Sequence, residues 1–393
     1  MKNVVIVAAQ RTPIGKFGGA LANVSAVDLG IVAGKSAIEK AKLKPEQIDE
    51  VIIGNVLSAG LGQNVARQIA LGLAVPEDST AFTVNMVCGS GMKAIILGAQ
   101  SIQTGQSEVV LVGGTENMSQ APYLDMTRRW GSKMGSAEIY DSLLKDGLTD
   151  AMGNYHMGLT AEKLSEKYHI TRQQQDAFAV ESQRKAIEAI DSGKFIDEIS
   201  PVVVSSKKGQ TQTISSDEYP RRGVTVDAIA NMRPAFQSEG TVTAANASGI
   251  NDGAAMMILM SEKKAQELKM PILAEIVSYA TAGVAPEVMG EGPIPATRKA
   301  LEIAGLSIQD IELVEANEAF AAQALTVMEQ LNLDPLKTNI NGGAIALGHP
   351  IGASGTRILI TLIHEMMKTN YSLGLATLCI GGGQGASMIV RKR

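Results

Sequence analysis

Two cysteines and one histidine in this chain each sit in a glycine-rich turn, a trio suited to passing an acyl group through a thioester. Cys88 lies in TVNMVCGSGMKA. A strand pattern runs into Cys-Gly-Ser-Gly and a helix pattern follows. That places the sulfur at a helix N-terminus, where the dipole and free N–H groups favour a thiolate. The arrangement resembles a nucleophile elbow; the structural alternative is a buried, inert cysteine. Cys379 lies in LATLCIGGGQG, at a strand end before three glycines. Such a turn offers backbone N–H groups to an oxyanion or a phosphate; otherwise Cys379 is strand-end packing. The glycine spacing does not match a dinucleotide loop, and strand-like SMIV follows where that loop needs a helix. No Walker A pattern is present.

His349 lies in NINGGAIALGHPIGASG. Of the other histidines, His169 and His364 read as surface residues, while His156 in GNYHMG could contact a ligand. Asn317-Glu318, in VEANEAF, follows a strand pattern and opens a helix, so Asn317 is either a site residue or an N-cap. Asn246-Ala247-Ser248-Gly249 reads as a turn. Arg221-Arg222 and Lys207-Lys208 are either solvated charges or a hold for phosphates.

An internal duplication positions these turns. Shifted by 263, residues 37–51 (AIEKAKLKPEQIDEV) match residues 300–314 (ALEIAGLSIQDIELV). Ser90-Gly91 then matches Ser354-Gly355 at a shift of 264, and Val112-Gly113-Gly114 matches Ile380-Gly381-Gly382 at 268. The His349 turn therefore sits in the second half where the Cys88 turn sits in the first, and pseudo-symmetry would make them face each other. In the first half, strands are predicted over 4–9, 51–55, 81–86 and 108–112, with helices over 28–41, 64–71 and 91–103. Asp28 is the candidate cap of the first helix. In the second half, strands are predicted over 272–279, 311–315 and 373–378, with helices over 296–304, 318–331 and 354–367. This alternation implies sheets covered by helices. The intervening stretch is more polar, with helices predicted over 160–168 and 171–192. It reads as an insertion that forms a lid or binding domain. The divisions are thus 1–117 with 250–269, an inserted 118–249, and 270–393.

The 393 residues exceed the usual limit of one core, which agrees with two fused halves. Hydrophobic residues at 45% exclude a disordered chain. A net charge of −5 argues against a nucleic-acid partner. No apolar run approaches the ~20 residues of a membrane helix. Two cysteines exclude a disulfide scaffold or a multi-cysteine zinc domain, and point to the reducing cytoplasm.

CGSG at Cys88, NASGIND at Asn246, NEAF at Asn317, GHPIGASG at Gly348 and CIGGGQG at Cys379, in this order, resemble the thiolases over essentially the whole chain. YHMG and CGSG resemble the biosynthetic, short-chain branch, although Met86 stands where relatives more often have Gln or Lys. The resemblance implies an α/β fold with a duplicated core of two similar halves, helices around mixed sheets, and an inserted loop domain that holds coenzyme A and makes oligomer contacts. It implies an acetyl-CoA C-acetyltransferase: reversible condensation of two acetyl-CoA to acetoacetyl-CoA and coenzyme A through an acetyl-cysteine, in a homotetramer, with no cofactor or metal. By motif, Cys88 would be the nucleophile, His349 its activator and Cys379 the acid/base. Asn317 would hold a water in one oxyanion hole, and the N–H groups of Cys88 and Gly381 would form another. His156, Met157, Phe236, Ser248, Ala319 and Phe320 would line the acyl and pantetheine pocket, with Arg221 or Arg222 at the nucleotide end.

The residues suit this chemistry without the resemblance. A Claisen condensation needs a covalent acyl carrier, a base for a carbon acid and donors for two oxyanions, and a second Cys of lowered pKa could shuttle the proton. Three rivals stand beside it. A β-ketoacyl synthase would use a Cys with two His. An acyl-CoA or lipid carrier would need no reactive thiol. A redox-switched protein would join Cys88 to Cys379.

Overall fold

The structure is a computed structural model and describes residues 2–131, 133–205 and 209–393. The first half contains β1 (Val4–Arg11), α1 (Ala26–Ala41), β2 (Glu50–Gly54), α2 (Val65–Gly72), β3 (Thr80–Val84), α3 (Ser90–Thr104) and β4 (Val109–Asn117). After α4 (Met157–Lys167) and α5 (Arg172–Asp191), the chain returns as β5 (Asn251–Ser261). The second half contains β6 (Ala274–Gly283), α6 (Pro293–Ala304), β7 (Leu313–Ala316), α7 (Ala321–Leu331), α8 (Ile351–Lys368), β8 (Leu373–Ile380) and β9 (Gln384–Lys392).

These nine strands run β7-β8-β9-β6-β1-β5-β4-β2-β3 across one sheet. Within it, β3-β2-β4 are parallel and β4-β5-β1 antiparallel. The second half repeats this: β7-β8 is parallel and β8-β9-β6 antiparallel. Thr338 bridges in parallel to Val314, in the place that β3 takes in the first half. The halves join where β1 meets β6.

Burial arranges the layers. One cluster joins strand residues of both halves (Ile6, Val112, Met257, Leu378, Met388) to Ile95 and Ile102 of α3 and Ile358 and Leu362 of α8. The opposite faces are covered by α1 and α2 in one half and by α6 and α7 in the other. The order is therefore α1 and α2, the strands of the first half, the central α3 and α8, the strands of the second half, then α6 and α7. The central helix α8 is buried around nearly its whole circumference, as a helix with apolar residues on all faces must be.

The two central helices start in near contact, and that contact requires the paired glycines of the duplication. A Cβ on Gly91 would meet the Thr356 Oγ1 at 2.6 Å, and one on Gly355 the Met92 nitrogen at 2.6 Å. The fold is α/β with a duplicated core, in agreement with the sequence.

Several details differ from expectation. The third repeat match is out of register. Val51 pairs with Leu111 and Val314 with Leu375, so β4 and β8 correspond at a shift of 375 − 111 = 264, not 268. The cap of α1 is Ser25, whose side chain accepts from the Asp28 N–H. Strand β5, next to β1 in the middle of the sheet, was not among the predicted strands. All eleven of its residues are buried, and a strand covered on both faces shows no alternation. His364 is half-buried rather than on the surface, and its Nε2 donates to the Ala9 carbonyl at 2.8 Å.

Candidate active site

The carboxyl ends of the parallel strands of both halves converge on one cavity of about 360 Å³, the usual place for a site in an α/β sheet. From the first half, the turn after β3 delivers Cys88. Val87 there has φ +47, a left-handed conformation that costs a β-branched residue of order 1–3 kcal/mol. Ser90 offsets it: its hydroxyl accepts from the Met86 N–H at 2.8 Å and donates to the Val87 carbonyl at 2.6 Å. The elbow lifts the sulfur to the cavity wall just ahead of α3.

From the second half, Gly348 turns the chain at φ +109 and His349 follows. The His349 N–H donates to the Asn251 Oδ1 at 2.9 Å. Its Nε2 lies 3.4 Å from the Cys88 Sγ and its Nδ1 2.5 Å from the Ser354 Oγ. The Ser354 hydroxyl donates its own proton to the Pro350 carbonyl at 2.8 Å, so toward His349 it can only accept. Nδ1 must therefore carry the imidazole hydrogen, and Nε2 presents its lone pair to the thiol. The two turns do face each other.

Electrostatics correct the expected thiolate. Burial pushes the Cys88 thiol up to about 11, against the N–H groups of Gly381 and of Cys88 itself, which pull it down; nearby Glu116 adds to the rise. Burial also pushes His349 down to about 4, helped by Arg357. At rest the pair is a neutral thiol and a neutral imidazole. The proton can move to Nε2 as sulfur attacks. Desolvation outweighs the helix dipole here because the sulfur has no cation beside it.

Cys379 is the next-to-last residue of β8, which Ile380 ends before the glycine turn, and is fully buried. Its thiol stands well above the ordinary value, first from burial and then from the charge of nearby Cys88. The expected lowered pKa is thus reversed. Both cysteines are free thiols. Cys379 packs with Met157, Ala319 and Phe320, all three of which line the cavity.

Asn317 emerges from β7 beside β8, its N–H bonded to the Thr377 carbonyl at 2.9 Å. It is not an N-cap: α7 starts at Ala321, and Phe320 holds the cap position. The Asn317 carboxamide is buried, and neither its oxygen nor its nitrogen meets a hydrogen-bond partner among the described residues. Glu318, next in the chain, is spent on structure, accepting from Ser182, Asn339 and the Ile345 N–H.

Gly381 lines the cavity beside Cys88, as do His156, Met157, Phe236, Ser248, Ala319 and Phe320. His156 caps α4 through Nδ1, which accepts from the Gly158 N–H, and its ring stacks on Phe236 with centroids 4.5 Å apart. The Ser248 N–H donates to the Ala319 carbonyl at 2.9 Å, tying the turn after 246 to the start of α7. Arg221 and Arg222 lie apart from this cavity. Arg221 borders a neighbouring crevice that shares Tyr219 and Ala244 with it. Arg222 makes a two-pronged, exposed pair with Asp191. Lys207 and Lys208 lie outside the described residues.

Two residues that hold the pair were not singled out by sequence. Asn251 sat within a quoted motif, and Ser354 was noted only as a repeat match.

The family model for the thiolase N-terminal domain matches residues 4–263 and that for the thiolase C-terminal domain residues 270–392. The chain belongs to the thiolase family. This thiolase is 56% identical over 393 residues to an acetyl-CoA acetyltransferase of Escherichia coli, with all of both chains covered. It is 54% identical over 392 residues to one of Pseudomonas aeruginosa, again with all of both chains covered. The crystal structure of the Bacillus anthracis acetyl-CoA acetyltransferase superposes with a TM-score of 0.98 at 45% identity, over 100% of this thiolase and 99% of that chain. Human mitochondrial 3-ketoacyl-CoA thiolase gives 0.97 at 44% identity, over the same shares. Two differently named thiolases fit almost equally, so the backbone does not decide acyl length.

Proposed function

We propose that this thiolase is an acetyl-CoA C-acetyltransferase, joining two acetyl-CoA into acetoacetyl-CoA and coenzyme A and running in reverse as thiolysis. One observation carries the chemistry: His349 Nε2, left bare by the Nδ1–Ser354 bond, faces the Cys88 sulfur at 3.4 Å. The high identity to acetyl-CoA acetyltransferases supports the substrate.

In the first half-reaction the Cys88 sulfur attacks the thioester carbonyl and its proton passes to Nε2. The carbonyl oxygen takes the negative charge between the N–H groups of Cys88 and Gly381. Collapse breaks the bond to the coenzyme A sulfur, and Cys379 gives that thiolate its proton. A raised pKa suits Cys379 to start as this acid. Acetyl-Cys88, imidazolium and the Cys379 thiolate remain. In the second half-reaction the Cys379 thiolate removes a methyl proton from a second acetyl-CoA. The enolate oxygen is held by the imidazolium and by a water on the orphaned Asn317 carboxamide. Its carbon attacks acetyl-Cys88, the carbon–sulfur bond breaks, and the Cys88 thiolate recovers its proton from His349. Net charge in the pocket is unchanged throughout, which a buried site demands.

Met157, packed beside Gly381, closes the acyl end, so the transferred group is small. Coenzyme A enters along His156, Phe236 and Ser248, with Arg221 nearer the nucleotide end than Arg222, whose charge Asp191 already holds. The exposed side chains of Tyr123, Met126, Trp130 and Ile139 around the 123–141 hairpin offer an apolar surface for the subunit contacts that a homotetramer needs. Among the described residues no helix is long and apolar enough to cross a membrane, and two free thiols suit the cytoplasm.

Incubation with acetyl-CoA, acid quench and peptide mass spectrometry should place the acetyl group on Cys88; a label on Cys379 alone overturns the assignment. Thiolysis should be fastest with acetoacetyl-CoA and fall steeply with chain length. Equal kcat/KM for a long-chain 3-ketoacyl-CoA contradicts the small pocket.

A further inference from the structure

Helix α8 carries Ser354 and so fixes the tautomer of His349, yet its own start has no local cap. Pro350 stands at the N-cap position and offers no side-chain acceptor. The acceptor comes instead from β4 in the other half. Glu116 Oε2 takes the Gly352 N–H at 2.9 Å, at the second residue of α8. The same carboxylate takes the Val56 and Leu57 N–H groups, both at 3.1 Å, and the Asn55 Nδ2 at 2.9 Å. Each oxygen thus receives two donors. Four donors and nothing given back call for a group that only accepts, the ionised carboxylate; burial pushes its pKa up to about 7 against the pull of the Leu57, Val56 and Gly352 N–H groups, so the cap is complete above that pH.

Glu116 is fully buried, with no cation bonded to it among the described residues. N–H groups and the positive end of α8 balance its charge. Space around it is tight: a Cβ on Gly352 would meet the Glu116 Oε2 and the Thr115 carbonyl, each at 2.8 Å. The loop it grips on its other side packs against residues of the site wall. Val56 and Leu57 pack with Ile351, and Val87 and Cys88 border that cluster.

We propose that Glu116 is a positioning residue of the acyl-transfer reaction: its carboxylate caps α8 from the opposite half and so locks the Ser354–His349 pair in line with Cys88. It touches no reacting atom. Its effect passes through Gly352 to the first turn of α8, and from there through Ser354 to Nδ1. The coenzyme A path along His156, Phe236 and Ser248 is untouched. Loss of the cap should therefore slow sulfur attack without weakening substrate binding.

The inference rests on the proposed Cys88 acetylation, which the wild-type protein tests by itself in the mass-spectrometric experiment. If the wild type takes no acetyl group, that reading fails whatever Glu116 does. With acetylation established, Glu116→Gln replaces one acceptor oxygen by an NH₂ that faces N–H donors. The single-turnover acetylation rate and kcat should fall about 30-fold or more, while KM for acetyl-CoA stays within about threefold. Glu116→Asp keeps the charge but draws it back by one methylene, and should fall between wild type and Glu116→Gln at the same KM. If Glu116→Gln does not fold, the Asp variant decides alone: a reduced rate at unchanged KM supports the proposal. A wild-type rate in either folded variant overturns it, as does a loss carried by a raised KM, which would mean general distortion of the pocket.

Discussion

Ser90 and Ser354 stand at equivalent points of the two halves, near the start of a central helix, and each donates its hydroxyl proton to a carbonyl just upstream. What each accepts differs. Ser90 takes a backbone N–H, that of Met86, and so holds the strained elbow under Cys88. Ser354 takes the side-chain hydrogen of His349 and so decides which ring nitrogen is free. One scaffold, repeated, thus presents a nucleophile on one side and its base on the other. The duplication supplies facing turns; the chemistry comes from where the copies diverge.

The largest break in that comparison is at the sulfurs, which occupy unlike positions in the two halves. Cys88→Ala removes the acyl carrier and should abolish both acetyl uptake and condensation. Cys379→Ala keeps the nucleophile and His349, so it should still become acetylated by acetyl-CoA, more slowly because the leaving thiolate has lost its acid. Turnover to acetoacetyl-CoA should drop by at least ~10²-fold, the usual cost of a missing general base. Exchange of acetyl methyl protons in deuterated water reads that step directly. Exchange at the wild-type rate in Cys379→Ala would make another group, His349 first, the base.

A second test sets the neutral His349 against the proton it excludes. Its folded pKa of about 4 lies below the ordinary 6.5, so between those values the native state binds fewer protons than the unfolded chain. Stability from this group is complete above about pH 6.5 and is lost as pH falls toward 4. Between pH 7.5 and pH 5 the loss amounts to about 2 kcal/mol. His349→Gln has nothing to titrate there. Its unfolding free energy relative to wild type should therefore improve by about that amount on acidification, read by urea denaturation at the two pH values. A constant difference would mean that His349 is not held neutral by burial. The buried carboxylates Glu116, near 7, and Glu315, near 8, carry shifts of the opposite sign, but they are common to both proteins and cancel in the difference.

Much of this was legible in the chain. Alternation, the repeat and five motifs point to the fold and to the turns that hold Cys88, His349, Cys379 and Asn317. What sequence missed has physical reasons. Strand β5 is covered on both faces and so lost the alternation that marks a strand. The expected Cys88 thiolate rested on a helix dipole, a local feature, whereas the shift is set by desolvation from elements far apart in sequence. Glu116 lies 236 residues from the Gly352 N–H that it caps, and no local pattern announces a cap supplied across the molecule. Arg222 looked like half of a phosphate clamp because Asp191, which holds it, lies on the far end of α5.

The smallest effect tests the two serines against each other. Ser354→Ala leaves Nδ1–H buried without an acceptor. The ring is then free to shift its hydrogen to Nε2, where it points at the thiol and the base is gone. Only the fraction still protonated at Nδ1 can take the Cys88 proton, and the single-turnover acetylation rate should fall about tenfold, equal to about 1.4 kcal/mol, at unchanged KM. Ser90→Ala takes nothing from the imidazole. It leaves the Met86 N–H without its acceptor and the left-handed Val87 without its brace, so it should cost about 1–3 kcal/mol of stability. Its acetylation rate should stay within about threefold of wild type, because the sulfur remains at the head of α3 and His349 keeps its tautomer. The two variants should therefore differ in kind, one losing rate and the other unfolding midpoint. If Ser354→Ala acetylates at the wild-type rate, tautomer control by that hydroxyl is wrong. If both variants lose only stability, the halves differ less in function than their hydrogen bonds imply.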